Sequence, residues 1–75
     1  MTSYTFDQLK QALNTCTSYD LIMVDDEDAD MYAYALIDSY GEVDGDFFYD
    51  LEDVTDFITN NDDVDSYLME LTNND

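Results

Sequence analysis

Positive charge is almost missing from this chain. Its 75 residues include one cation, Lys10, and no His, against twenty Asp and Glu, which gives a formal net charge of −19. Proline and tryptophan are absent, glycine occurs twice and cysteine once. Each absence closes a class of function. Without His, neither a Ser/His nor a Cys/His nucleophile pair can be assembled, and imidazole or thiolate metal sites are excluded. Two carboxylic acids suffice for glycoside hydrolysis, but so short a domain leaves little room for a substrate cleft, so the sequence points away from an enzyme and from any cofactor. Cys16 has no second cysteine with which to form a disulfide, and no basic segment leads into an apolar run at the start, which points to the cytoplasm. No apolar run approaches the roughly 20 residues that span a bilayer. Anionic lipid surfaces and nucleic acid would both repel the chain.

What is present argues for a fold. Hydrophobic residues make up 45% of the chain and aromatics 15%. Leu, Ile, Val and Phe exceed the one-fifth of residues below which highly charged chains are disordered. A single domain over residues 1–75 follows, with a core limited by length, since chains this small bury only about 60% of their surface. Self-repulsion of the carboxylates opposes compaction, so the acidic bias calls for a compensating role. A halophile-style surface is one such role and a basic partner is the other.

The chain divides by periodicity. Thr5 and Gln8 have the spacing of a capping box, and Phe6, Leu9, Leu13 and Cys16 recur at helical spacing, which predicts a helix over residues 5–16. Leu21, Ile22, Met23 and Val24 form a run of strand length over residues 19–24. The segment Asp25-Asp26-Glu27-Asp28-Ala29-Asp30 reads as too charged to pair in a sheet. A second strand is predicted over residues 31–39, where two alternating apolar sets indicate coverage of both faces. Tyr40-Gly41-Glu42 supplies a turn into a third strand over Val43 to Tyr49, in which Gly45 hints at a bulge. Asp50 then caps a helix bearing Leu51, Val54, Phe57 and Ile58, Asn60-Asn61 stops it, and Asp62 or Asp63 caps a last helix bearing Val64, Tyr67, Leu68 and Leu71. The expected fold class is α+β: a helix, a three-stranded antiparallel sheet and two helices, in the order α-β-β-β-α-α.

Candidate functional residues are the acids that lie off the apolar stripes. Asp25, Asp26, Glu27, Asp28 and Asp30 form one group, and Tyr40, Glu42 and Asp44 around the hairpin turn form a second. Asp53 and Asp56, with Asp62, Asp63 and Asp65 beyond them, make a third. Asp26, Asp28 and Asp30 have the alternating oxygens that open an EF-hand loop. However, Met31 stands where the sharp-turn Gly belongs and Ile37 where the bidentate Glu belongs, so no dedicated metal site is expected. Duplex DNA carries about one charge per 1.7 Å of axis, so nineteen charges correspond to roughly 32 Å of duplex, about the diameter of a compact chain of this length. This match leads to a DNA mimic that enters the Arg- and Lys-lined channel of a basic DNA-binding protein. Tyr40, beside Gly41, is the expected exposed anchor. An acidic calcium-binding protein, or an adaptor for a basic host protein, is the alternative.

In charge, size and element order the chain resembles the phage-encoded acidic DNA mimics that disarm bacterial immunity. The resemblance is to the small anti-CRISPR proteins that occupy the PAM-reading site of Cas9, and the anti-restriction proteins share its charge logic. It implies that contacts are carried by the hairpin at Tyr40-Gly41-Glu42 and by the acidic connection Asp62-Asp63-Asp65. The turn lacks the acidic and Asn run that precedes the Gly in that family, so the target, a CRISPR effector or a restriction nuclease, stays open.

Overall fold

The computed structural model describes residues 4–73. The first helix, α1 (Phe6–Cys16), begins with the predicted capping box: the Gln8 N–H donates to Thr5 Oγ1 at 3.2 Å and the Thr5 N–H to Gln8 Oε1 at 3.0 Å. Two strands follow, β1 (Asp20–Asp26) and β2 (Met31–Ile37), paired antiparallel from Asp20 opposite Ile37 to Asp26 opposite Met31. Two helices close the chain, α2 (Leu51–Ile58) and α3 (Asp62–Asn73). The α+β class stands, but the sheet has two strands where the sequence predicts three.

The missing strand has a physical cause. Val43 bridges Ile37 and Phe48 bridges Tyr34, so the outer segment takes five steps where β2 takes three. The surplus residues loop out around Gly45, whose φ of 85° breaks the ladder, and backbone bonds survive at the two ends alone. At one end the Asp44 N–H donates to the Leu36 carbonyl at 2.8 Å. At the other, Phe48 and Tyr34 exchange bonds of 2.8 and 2.6 Å.

Other boundaries move for equally local reasons. The hairpin ladder carries β1 through Asp25 and Asp26, which the sequence excludes as too charged. Their partners are the neutral Tyr32 and Met31 at an end of the sheet open to water. β2 stops at Ile37 because Asp38 turns the chain: its carboxylate accepts from the Tyr40 and Glu42 N–H groups and its carbonyl from the Gly41 N–H. The cap of α3 is Asn61, whose side-chain oxygen accepts from the Asp63 and Val64 N–H groups, while Asp62 is already helical.

α1 packs on one face of the sheet, and α2 and α3 pack on α1 in the same core. Leu9, Ala12 and Leu13 of α1 meet Leu21 and Leu36 of the sheet, Val54 and Ile58 of α2, and Val64 and Leu68 of α3. Leu9, Leu21, Leu68, Val54 and Val64 are fully buried, each stabilising the fold by about 1.5–3 kcal/mol. No polar or charged residue is buried among the described residues. Tyr34 and Phe48 extend the core face, with Tyr34 packed on Phe6 at 5.8 Å and Phe48 on Phe57 at 5.4 Å between ring centroids.

The chain's one lysine holds this arrangement together at the edge of the sheet. Lys10 Nζ donates to Asp20 Oδ1 at 2.8 Å and to the Leu21 carbonyl at 3.0 Å, which ties α1 to the start of β1. No helix among the described residues is long and apolar enough to cross a membrane.

The hairpin between β1 and β2 turns through Glu27 to Asp30, with the Asp30 N–H donating to the Glu27 carbonyl at 3.3 Å and Asp30 itself at a φ of 54°. Left-handed backbone disfavours a Cβ. Asp30→Gly and Asp30→Asn delete the same charge, so their difference isolates the backbone. The Gly variant is expected to be the more stable by about 0.5 kcal/mol in urea unfolding. An Asn variant at least as stable as the Gly variant would show that this position carries no strain.

Candidate partner-binding surface

The acidic residues named from the sequence occupy three places, and each place is built by a specific local device. The first is the β1–β2 hairpin. Asp26 Oδ1 accepts the Ala29 N–H at 3.3 Å, which folds the turn back on its own carboxylate. Asp25, Glu27, Asp28 and Asp30 are exposed, and Asp26 is half-buried. No three acids or cysteines among the described residues come close enough together to hold a metal ion.

The second place is the turn after β2 and the segment that runs beside it. Gly41, at a φ of 83°, makes the left-handed step, and its neighbour Tyr40 is 88% exposed. Glu42, Asp44 and Asp46 are all exposed. Asp44 is committed to the fold as well. Its carboxylate lies near the Tyr19 hydroxyl and raises the tyrosine pKa above its ordinary value, with Asp38 adding to the effect.

The third is formed by the first turns of α2 and α3, with Asp56 further along α2. Asp50 caps α2, with its carboxylate accepting the Glu52 N–H at 3.0 Å. Glu52, Asp53 and Asp56 are exposed on that helix, as are Asp62 and Asp63 on α3, where Asp65 is half-buried. The positive ends of the helix dipoles favour acids in these turns. Neither helix carries a basic residue in its last turn.

What unites the three places is the absence of any countercharge. The one ion pair among the described residues is Lys10 with Asp20. The Lys10 hydrogen bond, supported by Asn14 and the Leu21 N–H, holds the Asp20 carboxyl below its usual range. The chain's single cation is thereby spent inside the fold, and the exposed carboxylates are left for solvent or for a partner. The molecule measures 39 × 28 × 18 Å. A duplex 39 Å long carries about 23 phosphate charges, against the chain's net −19.

Sequence reasoning missed Tyr49. Its hydroxyl donates to Asp26 Oδ2 at 2.7 Å. Because Tyr49 follows Phe48 on the outer side of β2 and Asp26 lies in β1, the side chain must cross β2 to make this bond. The bond lowers the Asp26 pKa, helped by the Ala29 N–H, and raises that of Tyr49. No signal in the sequence marks the pair, since the two residues lie 23 positions apart and each reads as an ordinary surface residue.

No family model, curated protein or solved structure matches the chain.

The Tyr49–Asp26 bond needs an ionised Asp26 and a protonated Tyr49. With Asp26 lowered, its contribution is complete above the ordinary carboxylate range and is lost as pH falls through the lowered value. With Tyr49 raised, it is complete below about pH 10 and is lost as pH rises through the raised value. Tyr49→Phe is therefore expected to melt below the parent between about pH 5 and pH 9, with the gap closing at both extremes. In the same variant the Asp26 carboxyl, followed by NMR, should titrate higher. An Asp26 titration that does not move would remove the bond from the account.

A second expectation concerns the whole surface. Because the exposed acids have no internal countercharge, added sodium chloride should raise the melting midpoint by screening their repulsion. A midpoint that stays level or falls between low and high salt would show that the carboxylates do not act as one field.

Proposed function

We propose that this chain is a DNA-mimic inhibitor that occupies the basic DNA-binding channel of a bacterial immune nuclease complex, either a CRISPR effector or a restriction enzyme. It acts in the cytoplasm of the bacterial host and has no chemistry of its own. The observation that supports this reading is the pairing of Lys10 with Asp20, which leaves the other described carboxylates without an internal cation, in a molecule whose net charge is close to that of an equal length of duplex.

A channel that binds DNA presents Arg and Lys along the path of the phosphate backbone. A compact, acid-faced body can enter the same path, drawn in by the same field. The carboxylates of the first turns of α2 and α3 sit on a rigid helical frame, and those of the two turns sit at the ends of the sheet. Each group keeps its place because its backbone is fixed by caps and turn hydrogen bonds. Charge pairs of this kind set the association rate more than the final affinity and weaken as salt rises.

The test is the order of addition. Mixed with guide-loaded Cas9, a Cascade-type complex or a type I restriction enzyme before DNA, the protein should block DNA loading, and added after DNA it should do far less. Equal inhibition in both orders, against whichever complex it inhibits, would place its action outside the DNA channel. The combined variant Asp53→Asn, Asp56→Asn, Asp62→Asn and Asp63→Asn should keep the far-ultraviolet circular dichroism of the parent, because these side chains are exposed. Its inhibition should fall at least about tenfold. Undiminished inhibition by this variant would move the interface off α2 and α3.

A further inference from the structure

The face of the sheet turned away from the helices is apolar, and what covers it is not a helix: Ala33 and Ala35 are buried and Ile22, Val24 and Ile37 half-buried. Neighbours in register share a face. Leu21 and Leu36 point to the helices, so Ile22, Val24, Ala33, Ala35 and Ile37 point away from them. An antiparallel sheet packed on one side ordinarily presents polar side chains on the other. Here the carboxylates at the two ends of β1 on this face, Asp20 and Asp26, are already held by Lys10 and Tyr49. The pattern of both strands is that of a sheet covered on both sides, yet α1 and the core it shares with α2 and α3 lie on one.

The partial cover that exists is aromatic. Continuing the pairing of Tyr34 with Phe48 puts Phe47 beside Ala35 and Tyr49 beside Ala33. Both alanines are fully buried, while Phe47 and Tyr49 remain 40% and 47% exposed. Asp26 is bonded to the Tyr49 hydroxyl, and Asp46 lies close enough to act on the same group. The rings therefore stand next to carboxylates on one surface.

Charge decides what can lie against this face. A second copy would bring a net −19 against another −19. Anionic lipid and nucleic acid are repelled in the same way. A cationic protein surface is attracted, and between the two basic side chains the mixture of rings and acids suits arginine. A planar guanidinium stacks on an aromatic ring while its N–H fork engages a carboxylate, whereas the more strongly hydrated ammonium of lysine does the first less well.

We propose that the outer face of the sheet seats an arginine-bearing surface of the partner, with guanidinium groups stacked on Phe47 and Tyr49 and paired with Asp46 and Asp26. This rests on the reading of a basic protein partner given above, and it adds to the acidic helix turns a second, aromatic element of the interface.

The test uses the whole chain and two probes, deca-arginine and deca-lysine, titrated at about 0.15 M salt and followed by NMR. Deca-arginine should shift the Ile22, Val24 and Ile37 methyl and the Phe47 and Tyr49 ring signals, and should bind about threefold more tightly than deca-lysine. Phe47→Leu, which keeps an apolar side chain and removes a ring, should bring the two peptides closer to parity while leaving deca-lysine binding unchanged. Equal affinity of the parent for both peptides, or shifts confined to α2 and α3, would overturn the proposal without reference to any variant. Broadening of the outer-face signals with protein concentration alone, with a doubled mass in solution, would assign the face to a second copy and overturn it too. These readouts involve no DNA, so a mimic that fails the order-of-addition test and a sheet face that fails to select arginine are separate results.

Discussion

Every carboxylate in this protein has to be kept in water or given a neutral hydrogen-bond donor, because the chain has one cation to offer. This constraint shapes the interior first. The core contains aliphatic and small side chains with no buried polar or charged group among the described residues, since an acid taken inside without a partner would carry a large desolvation cost. It also shapes the use of Lys10. A surface ion pair contributes little in most proteins, but Lys10 bonds both an acid and a backbone carbonyl of β1 and so sets where α1 meets the sheet.

Elsewhere, neutral donors do the work that cations do in other proteins. The Asp26, Asp38 and Asp50 carboxylates accept from backbone N–H groups in turns and at a helix start, and Tyr49 supplies a hydroxyl to Asp26. These bonds order the acids without neutralising them. The negative charge stays formally intact while its position is fixed, which is what the proposed mimicry of a phosphate backbone requires. The Tyr49 bond also fastens the irregular segment after β2 to β1, and so replaces part of the ladder that the segment fails to form.

The sequence was legible where the signal is local. The capping box at Thr5 and Gln8, the cap at Asp50 and the apolar stripes of the three helices are short-range patterns, and the structure follows them. The third strand was not legible. Val43 to Tyr49 has strand-like composition, but whether a segment pairs continuously depends on a match of step counts with its neighbour, and Gly45 with its surplus residues breaks that match. The two alternating sets in β2 suggested cover on both faces, and Ala33 and Ala35 on one face and Leu36 on the other are buried. Periodicity could not say which residues supply the cover. Among the candidate residues, exposure could be read from position off the stripes, whereas the structural duty of Asp26 depends on a tyrosine distant in the chain.

The irregular segment after β2 has a further effect. A small sheet with apolar side chains on both faces and unpaired borders is the kind of surface that invites strand-by-strand growth into fibrils. On one side of this sheet the free edge belongs to β1, which carries Asp20, Asp25 and Asp26. On the other, the looped segment around Gly45 bends the backbone out of line and breaks the row of donors and acceptors that an incoming strand would copy. Neither border can serve as a template. Strand-by-strand addition is therefore hindered from both sides of the sheet.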